Sequence, residues 1–258
     1  MHKRCNHFSA MLLWLAMLIS SPVYSQMPAY QEAIGWDASV TGAYISQIER
    51  DASGNFYLLG AIPGVGSSNT GTIDLDPGPG VVPLVCNTAL GYEDGFLVKL
   101  DPNRNYLWSL QVTPTFGGRI MDLELDPAGN VYICGDISGT AQDLDPGPGT
   151  FSVLGSYWAK YSTTGTFLMG QAMGTGVDII NGLALDSQGN IIIGGSFGGT
   201  KDFDFGPDVF NLVATGSTTD MFLAQYDPGG NFIWANKFSN NLTGISGENE
   251  FLLFVETD

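Results

Sequence analysis

Three stretches of this 258-residue chain repeat one another without gaps, and no other feature limits its fold as tightly. They are Asp51-Ala-Ser-Gly-Asn55-Phe-Tyr-Leu-Leu-Gly60, Asp126-Pro-Ala-Gly-Asn130-Val-Tyr-Ile-Cys-Gly135 and Asp186-Ser-Gln-Gly-Asn190-Ile-Ile-Ile-Gly-Gly195. A second series keeps the same order: Phe96-Leu-Val-Lys-Leu-Asp101, Tyr157-Trp-Ala-Lys-Tyr-Ser162 and Phe222-Leu-Ala-Gln-Tyr-Asp227. Trp108, Met169 and Trp234 follow at one common offset. A fixed order recurring about every 60 to 75 residues is the mark of a repeat architecture.

Each unit reads as four strands. Met121-Asp-Leu-Glu-Leu125 alternates apolar and polar residues, as a half-buried strand does. The Gly-Asn pair that follows supplies the residues a tight hairpin needs at positive φ. A β-rich run comes next, then a longer loop, a third strand at Phe96–Leu100, an Asp-Pro or Gly turn and a fourth strand near Tyr106–Val112. No helical periodicity stands out. Four antiparallel strands in about 60 residues is the unit of a β-propeller blade. The expected fold is therefore all-β, with three complete blades over about 44–112, 119–173 and 179–238. Ile34-Gly-Trp36 resembles an orphan fourth strand and Glu250–Asp258 an orphan first strand. A propeller closes with about four to eight blades, so this reading expects an incomplete ring or a fragment. It also expects self-association through unclosed blade edges.

Between the second and third strands of each unit lies an acidic loop. Its copies are Asp74-Leu-Asp76-Pro-Gly-Pro-Gly80, Asp143-Leu-Asp145-Pro-Gly-Pro-Gly149 and Asp202-Phe-Asp204-Phe-Gly-Pro-Asp208, each preceded by Gly-Thr. Together with the Asp-x-x-Gly-Asn turns, these strings resemble the secreted bacterial proteins that carry seven-bladed-β-propeller-type (SBBP-like) repeats. The resemblance runs from about Gly35 onward. It implies a propeller fold and an extracytoplasmic location, and little about chemistry. Read as residues, aspartates at i and i+2 of an extended segment point the same way. Their carboxylates then converge on one hard cation, calcium above all, with loop carbonyls completing an oxygen shell. Asp74, Asp76, Asp143, Asp145, Asp202, Asp204 and Asp208 are the expected ligands. The competing reading is turn chemistry, in which Asp accepts hydrogen bonds from nearby amides. The Leu or Phe between the aspartates anchors the loop in the core on either reading. Blade topology places these loops on one common rim, a natural binding surface.

Residues 1–25 have the form of a cleaved secretory leader: Lys3 and Arg4, an apolar run from Ala10 to Ile19, then Ser21-Pro22 and small residues up to Ser25. That run is too short to cross a bilayer as a helix. The expected product is a secreted repeat domain over 26–258 with no membrane span. Net charge is −17, and loss of the leader removes basic residues only. Such a field repels nucleic acid. The two histidines, His2 and His7, belong to the leader, which excludes a Ser-His-Asp or Cys-His catalytic arrangement from the mature chain. Cys86 and Cys134 read as small structural residues rather than a disulfide framework. Paired carboxylates alone suffice for glycoside hydrolysis, and Glu93, Asp94, Asp122, Glu124 and Asp178 are available, but no spacing selects a pair. Trp108, Trp158 and Trp234 read as packing residues at equivalent blade positions. The leading functional reading is a non-enzymatic module that binds a protein or a polysaccharide; a propeller-type glycoside hydrolase or lyase is the alternative.

Overall fold

The computed structural model describes residues 42–63, 71–86, 92–114, 116–174, 179–215 and 219–239. All of these belong to one compact unit, Gly35–Asp258. The segments expected to form a leader and orphan terminal strands, and Asp178, lie outside the described residues.

The protein is all-β, and no helix occurs among the described residues. The first blade comprises β1 (Tyr44–Arg50), β2 (Phe56–Pro63), the short pair β3 (Gly71–Asp74) and β4 (Pro83–Cys86), then β5 (Glu93–Leu100) and β6 (Tyr106–Val112). The second has β7 (Gly118–Leu125), β8 (Val131–Asp143), β9 (Ser152–Tyr161) and β10 (Phe167–Gly174). The third has β11 (Ile179–Leu185), β12 (Ile191–Phe197), the short pair β13 (Thr200–Asp202) and β14 (Asn211–Val213), then β15 (Asp220–Tyr226) and β16 (Phe232–Phe238). Within each blade the long strands pair antiparallel in chain order: β1-β2-β5-β6, β7-β8-β9-β10 and β11-β12-β15-β16. One parallel bridge, Asp94 to Gly118, links the first blade to the second. The described sheets do not close into a ring.

Local chemistry explains the repetition. In the first turn Asp51 Oδ1 accepts the amides of Ser53 and Asn55 at 3.0 and 2.9 Å, and its Oδ2 accepts the Asn55 side-chain amide at 2.7 Å. Asp126–Asn130 and Asp186–Asn190 repeat this bond for bond. So do the turns between third and fourth strands, Asp101–Asn105 and Asp227–Asn231. Only the glycine of each Asp-x-x-Gly-Asn turn takes positive φ; the asparagine is there for its side-chain amide, not its backbone. The glycine that ends each motif has a different reason. Gly60, Gly135 and Gly195 face a bulge in the neighbouring inner strand, and a Cβ there would run into the carbonyl oxygens of Tyr44, Arg119 and Ile179.

The blades pack face to face. One core joins Tyr57, Leu59, Leu97 and Val112 of the first blade to Leu123, Ile133, Tyr157 and Tyr161 of the second. Another joins Tyr132, Cys134 and Trp158 of the second to Ile191, Ile193, Phe222 and Tyr226 of the third. Burying one such side chain contributes about 1.5–3 kcal/mol, so each junction is held mainly by this apolar contact. Trp158 lies on a third strand, whereas Trp108 and Trp234 lie on fourth strands; the three are not equivalent.

Candidate functional site

The acidic loops do not project from the rim. The connection from second to third strand forms a ribbon that turns back along the blade face toward the opposite end of the sheet. Tyr161, which ends β9, donates its hydroxyl to Leu144 O at 2.8 Å, and Tyr226, which ends β15, does the same to Phe203 O at 2.9 Å. Phe151 stacks on Phe167 at 4.8 Å, and Phe210 packs on Phe232 at the same distance. Leu75, Leu144 and Phe203, the residues between the paired aspartates, are fully buried, so they anchor the loops as expected.

The aspartates stitch these loops to themselves. Asp74 Oδ1 accepts the amides of Asp76 and, eight residues on, Val82, at 3.0 and 2.8 Å. Asp143 holds Asp145 and Phe151 in the same way, and Asp202 holds Asp204 and Phe210. The second aspartates, Asp76, Asp145 and Asp204, each accept one further amide, from Gly78, Gly147 and Gly206. Asp208 is exposed. Among the described residues no three acidic, histidine or cysteine side chains come together as a metal-holding group.

The acids named as catalytic candidates are dispersed. Asp94 is buried. Asp122 accepts the amides of Leu123 and of Leu183 in the next blade, both at 2.8 Å. Burial pushes the Asp122 carboxyl above its ordinary range despite those two donors. Cys134 is a free buried thiol whose pKa burial likewise raises.

Glu93 alone reaches an open cleft, at the end of the first two blades where second strands lead into third. The cleft has a volume of about 530 Å³ and is lined by Tyr92, Glu93, Phe116, Arg119 and Asp136, with Pro63, Gly117 and Ser138. Tyr92 and Phe116 stand 6.0 Å apart with 55° between their planes. Two glycines seat them: a Cβ at Gly117 would lie 2.7 Å from Tyr92 Cβ, and one at Gly139 would run into the Phe116 ring. Both glycines have φ +86°. Tyr44 donates its hydroxyl to Glu93 Oε1 at 3.0 Å, and Arg119 is paired with Asp136 at 2.9 Å. Five aromatic side chains are well exposed among the described residues; two of them, Tyr92 and Phe116, line this cleft, and a third, Tyr44, is bonded to its Glu93. Sequence reasoning missed Tyr92, Phe116, Arg119 and Asp136 because none of them repeats from blade to blade. Unrepeated aromatics within a repeat frame were the available signal.

A propeller-type repeat architecture is what this geometry describes, and comparison with known proteins points the same way. The likeness is to a WD-repeat protein. Over 250 residues the chain is 26% identical to an uncharacterized WD repeat-containing protein, L264, of Acanthamoeba polyphaga mimivirus. The match covers 85% of this chain and 18% of that protein, so the chain spans less than a fifth of its relative's length. No family model matches the sequence.

Proposed function

We propose that this chain is a non-enzymatic propeller-type module that works outside the cytoplasm and binds a protein partner through the Tyr92–Phe116 cleft. The observation that carries this is a pair of exposed rings held in place by glycines beside the carboxylate of Glu93. Ring faces attract cations, and the attraction grows where a carboxylate stands close. Within the lining, Asp136 is neutralised by Arg119 and Glu93 is not paired to a base. The cleft therefore suits a lysine or arginine side chain of a partner, and the net charge of −17 steers basic surfaces toward it. The leader-like N-terminus and the SBBP-like loops support the extracytoplasmic location.

The probe is the peptide acetyl-Gly-Arg-Gly-amide, titrated against the full chain beside its citrulline analogue and xylohexaose. Binding of the arginine peptide, weakened about tenfold in Glu93→Gln and Phe116→Ala, supports the reading; such a loss corresponds to about 1.4 kcal/mol. Equal binding of the citrulline peptide overturns it. Binding of xylohexaose alone replaces the protein partner with a glycan, and turnover of that sugar lost in Glu93→Gln replaces the module with a glycosidase or lyase. Calcium at the acidic loops is the second reading, motivated by the third copy of the string, where Asp208 joins Asp202 and Asp204 in sequence. An ion there rests on one aspartate pair and loop carbonyls, which is a weak, millimolar site. Millimolar calcium should then raise the melting midpoint of the wild type and not of Asp145→Asn/Asp204→Asn.

A further inference from the structure

Clefts open at both ends of the junction between the first and second blades. The one at the turn end has a volume of about 390 Å³ and is lined by Asp51, Asn55, Lys99, Leu107, Thr163 and Thr164, among others. Its charges are already engaged: Lys99 Nζ donates to Thr163 O at 2.8 Å and stands 3.7 Å from Asp51 Oδ2. No aromatic ring is among the described residues that line it. The cleft at the other end, between Tyr92 and Phe116, reverses both features. Rings stand in its wall, and its carboxylate, Glu93, is held by the Tyr44 hydroxyl rather than by a base.

Chain order brings the rings and the carboxylate together. Tyr92 and Glu93 are consecutive, and so are Phe116 and Gly117. Gly117 lies against both members of the first pair: a Cβ there would fall 2.7 Å from Tyr92 Cβ and 2.8 Å from Glu93 O. The seat is the chain itself rather than the tips of mobile side chains, so ring and carboxylate hold their places without a ligand. Tyr92 and Phe116 are 42% and 47% exposed, with ring centres 6.0 Å apart. One cation can lie within about 6 Å of both centres, the range over which ring faces attract positive charge. A site set before its ligand arrives loses little affinity to ordering.

Hydrogen bonds decide which cation fits. A lysine ammonium carries three N–H donors and an arginine guanidinium five, and each one that leaves water needs an acceptor. The acceptors of this cleft are largely in use. Asp136 Oδ1 accepts both Nε and a terminal nitrogen of Arg119 at 2.9 Å. Glu93 Oε1 accepts the Tyr44 hydroxyl at 3.0 Å. Gly117 O holds the Ser138 amide at 3.0 Å, and Arg119 O holds the Tyr157 hydroxyl at 3.3 Å. The cleft thus offers ring faces and one net negative charge, and few sites for a donor to use.

We propose that the cleft selects the quaternary ammonium of a trimethylated lysine on a protein partner, over unmodified lysine and arginine. This rests on the reading of the cleft as a cation site and adds to it the modification state of the side chain that enters. A trimethylammonium group has no N–H, so it leaves water without stranding a donor. Its charge is spread over three methyl groups, which bury apolar surface against the rings while remaining positive. Glu93 then acts through charge alone, which asks for proximity and not for a particular bond angle.

The probes are acetyl-Gly-Lys-Gly-amide with zero, one, two and three methyl groups on the lysine nitrogen, the matching arginine peptide, and a neutral isostere with carbon in place of the quaternary nitrogen. Each is titrated calorimetrically against the full chain. Affinity should rise with each methyl group, ending at least about fivefold above lysine and arginine and about tenfold above the isostere. Phe116→Leu keeps apolar bulk at an exposed position and removes the ring; its preference for the trimethyl peptide over the isostere should fall to about twofold or less. Lysine or arginine binding as tightly as the trimethyl peptide overturns this inference and leaves the cleft a cation site. An isostere that binds as tightly overturns both readings, since charge then plays no part. So does the absence of binding by any peptide, and so does a full preference retained in a folded Phe116→Leu chain, which would put the site elsewhere.

Discussion

The two blade junctions are built on one plan from different materials. At the first, Trp108 presses edge-on against Tyr57, with centroids 6.2 Å apart, and shares an acceptor with Lys99, which is 4% exposed and 4.7 Å from the centre of the Tyr57 ring. At the second, Met169 has no such hydrogen bond to offer, and Lys160 sits over Tyr132 at 4.7 Å while reaching Asp126 at 3.5 Å. One junction is directional, with a rigid indole and a buried ammonium converging on a single carbonyl. The other relies on a flexible thioether that fills whatever gap it finds. Their inner ties differ as well: Gln47 donates to Leu123 O at the first, and ionisable Asp122 accepts from Leu183 at the second. A repeat thus fixes where contacts form, and the individual residues decide how strong and how specific each contact is.

The largest expected difference is at the fourth-strand residue itself. Trp108→Ala removes a half-buried indole, its ring contact with Tyr57 and one of the two donors to Thr163 O, at an expected cost of about 3 kcal/mol. Met169→Ala removes a flexible side chain with no hydrogen bond and should cost about 1–2 kcal/mol. Equilibrium urea unfolding of both variants measures the gap. Equal losses would mean that the apolar faces alone hold the blades together and that the indole adds nothing directional.

Much of this frame can be read directly from the residues. The Asp-x-x-Gly-Asn turn is local chemistry confined to five positions, so the string alone dictates its bonds, and strand order follows from the spacing of its copies. The burial of Leu75, Leu144 and Phe203 was legible for the same reason. The fold-back of the acidic ribbons was not, because it depends on Phe151 meeting Phe167 and Phe210 meeting Phe232 across strands whose facing is set only in three dimensions. Nor was the cleft, which is assembled from Tyr92, Phe116, Arg119 and Asp136 on separate strands and connections without a shared motif. Arg104 is visible in sequence as a departure from the glycine rule.

The smallest expected effect separates the inner ties by pH. Asn105, Asn190 and Asn231 hold the carboxyls of Asp101, Asp186 and Asp227 below the usual range through their side-chain amides. Burial pushes Asp51 upward, but Asn55 and Lys99 bring it below that range as well. A carboxyl depressed in the folded state contributes stability above its unfolded pKa and loses it as pH falls through the folded value. The melting midpoint should therefore drop below about pH 4. Asp122 acts with the opposite sign. Its carboxyl is raised by burial, so the penalty for ionising it is relieved as pH falls, which partly offsets the loss at the turns. Asp122→Asn removes that offset, and its midpoint should begin to fall at a higher pH than that of wild type. Gln47→Ala removes an uncharged tie and should shift the whole curve without changing its shape. The difference between the two profiles should be a few degrees, since about 1 kcal/mol moves the midpoint of a domain this size by about 2–4 °C. Superimposable profile shapes for the two variants would show that Asp122 is not held in the buried setting its bonds to Leu123 and Leu183 describe, and the contrast between the junctions would then rest on Trp108 and Met169 alone.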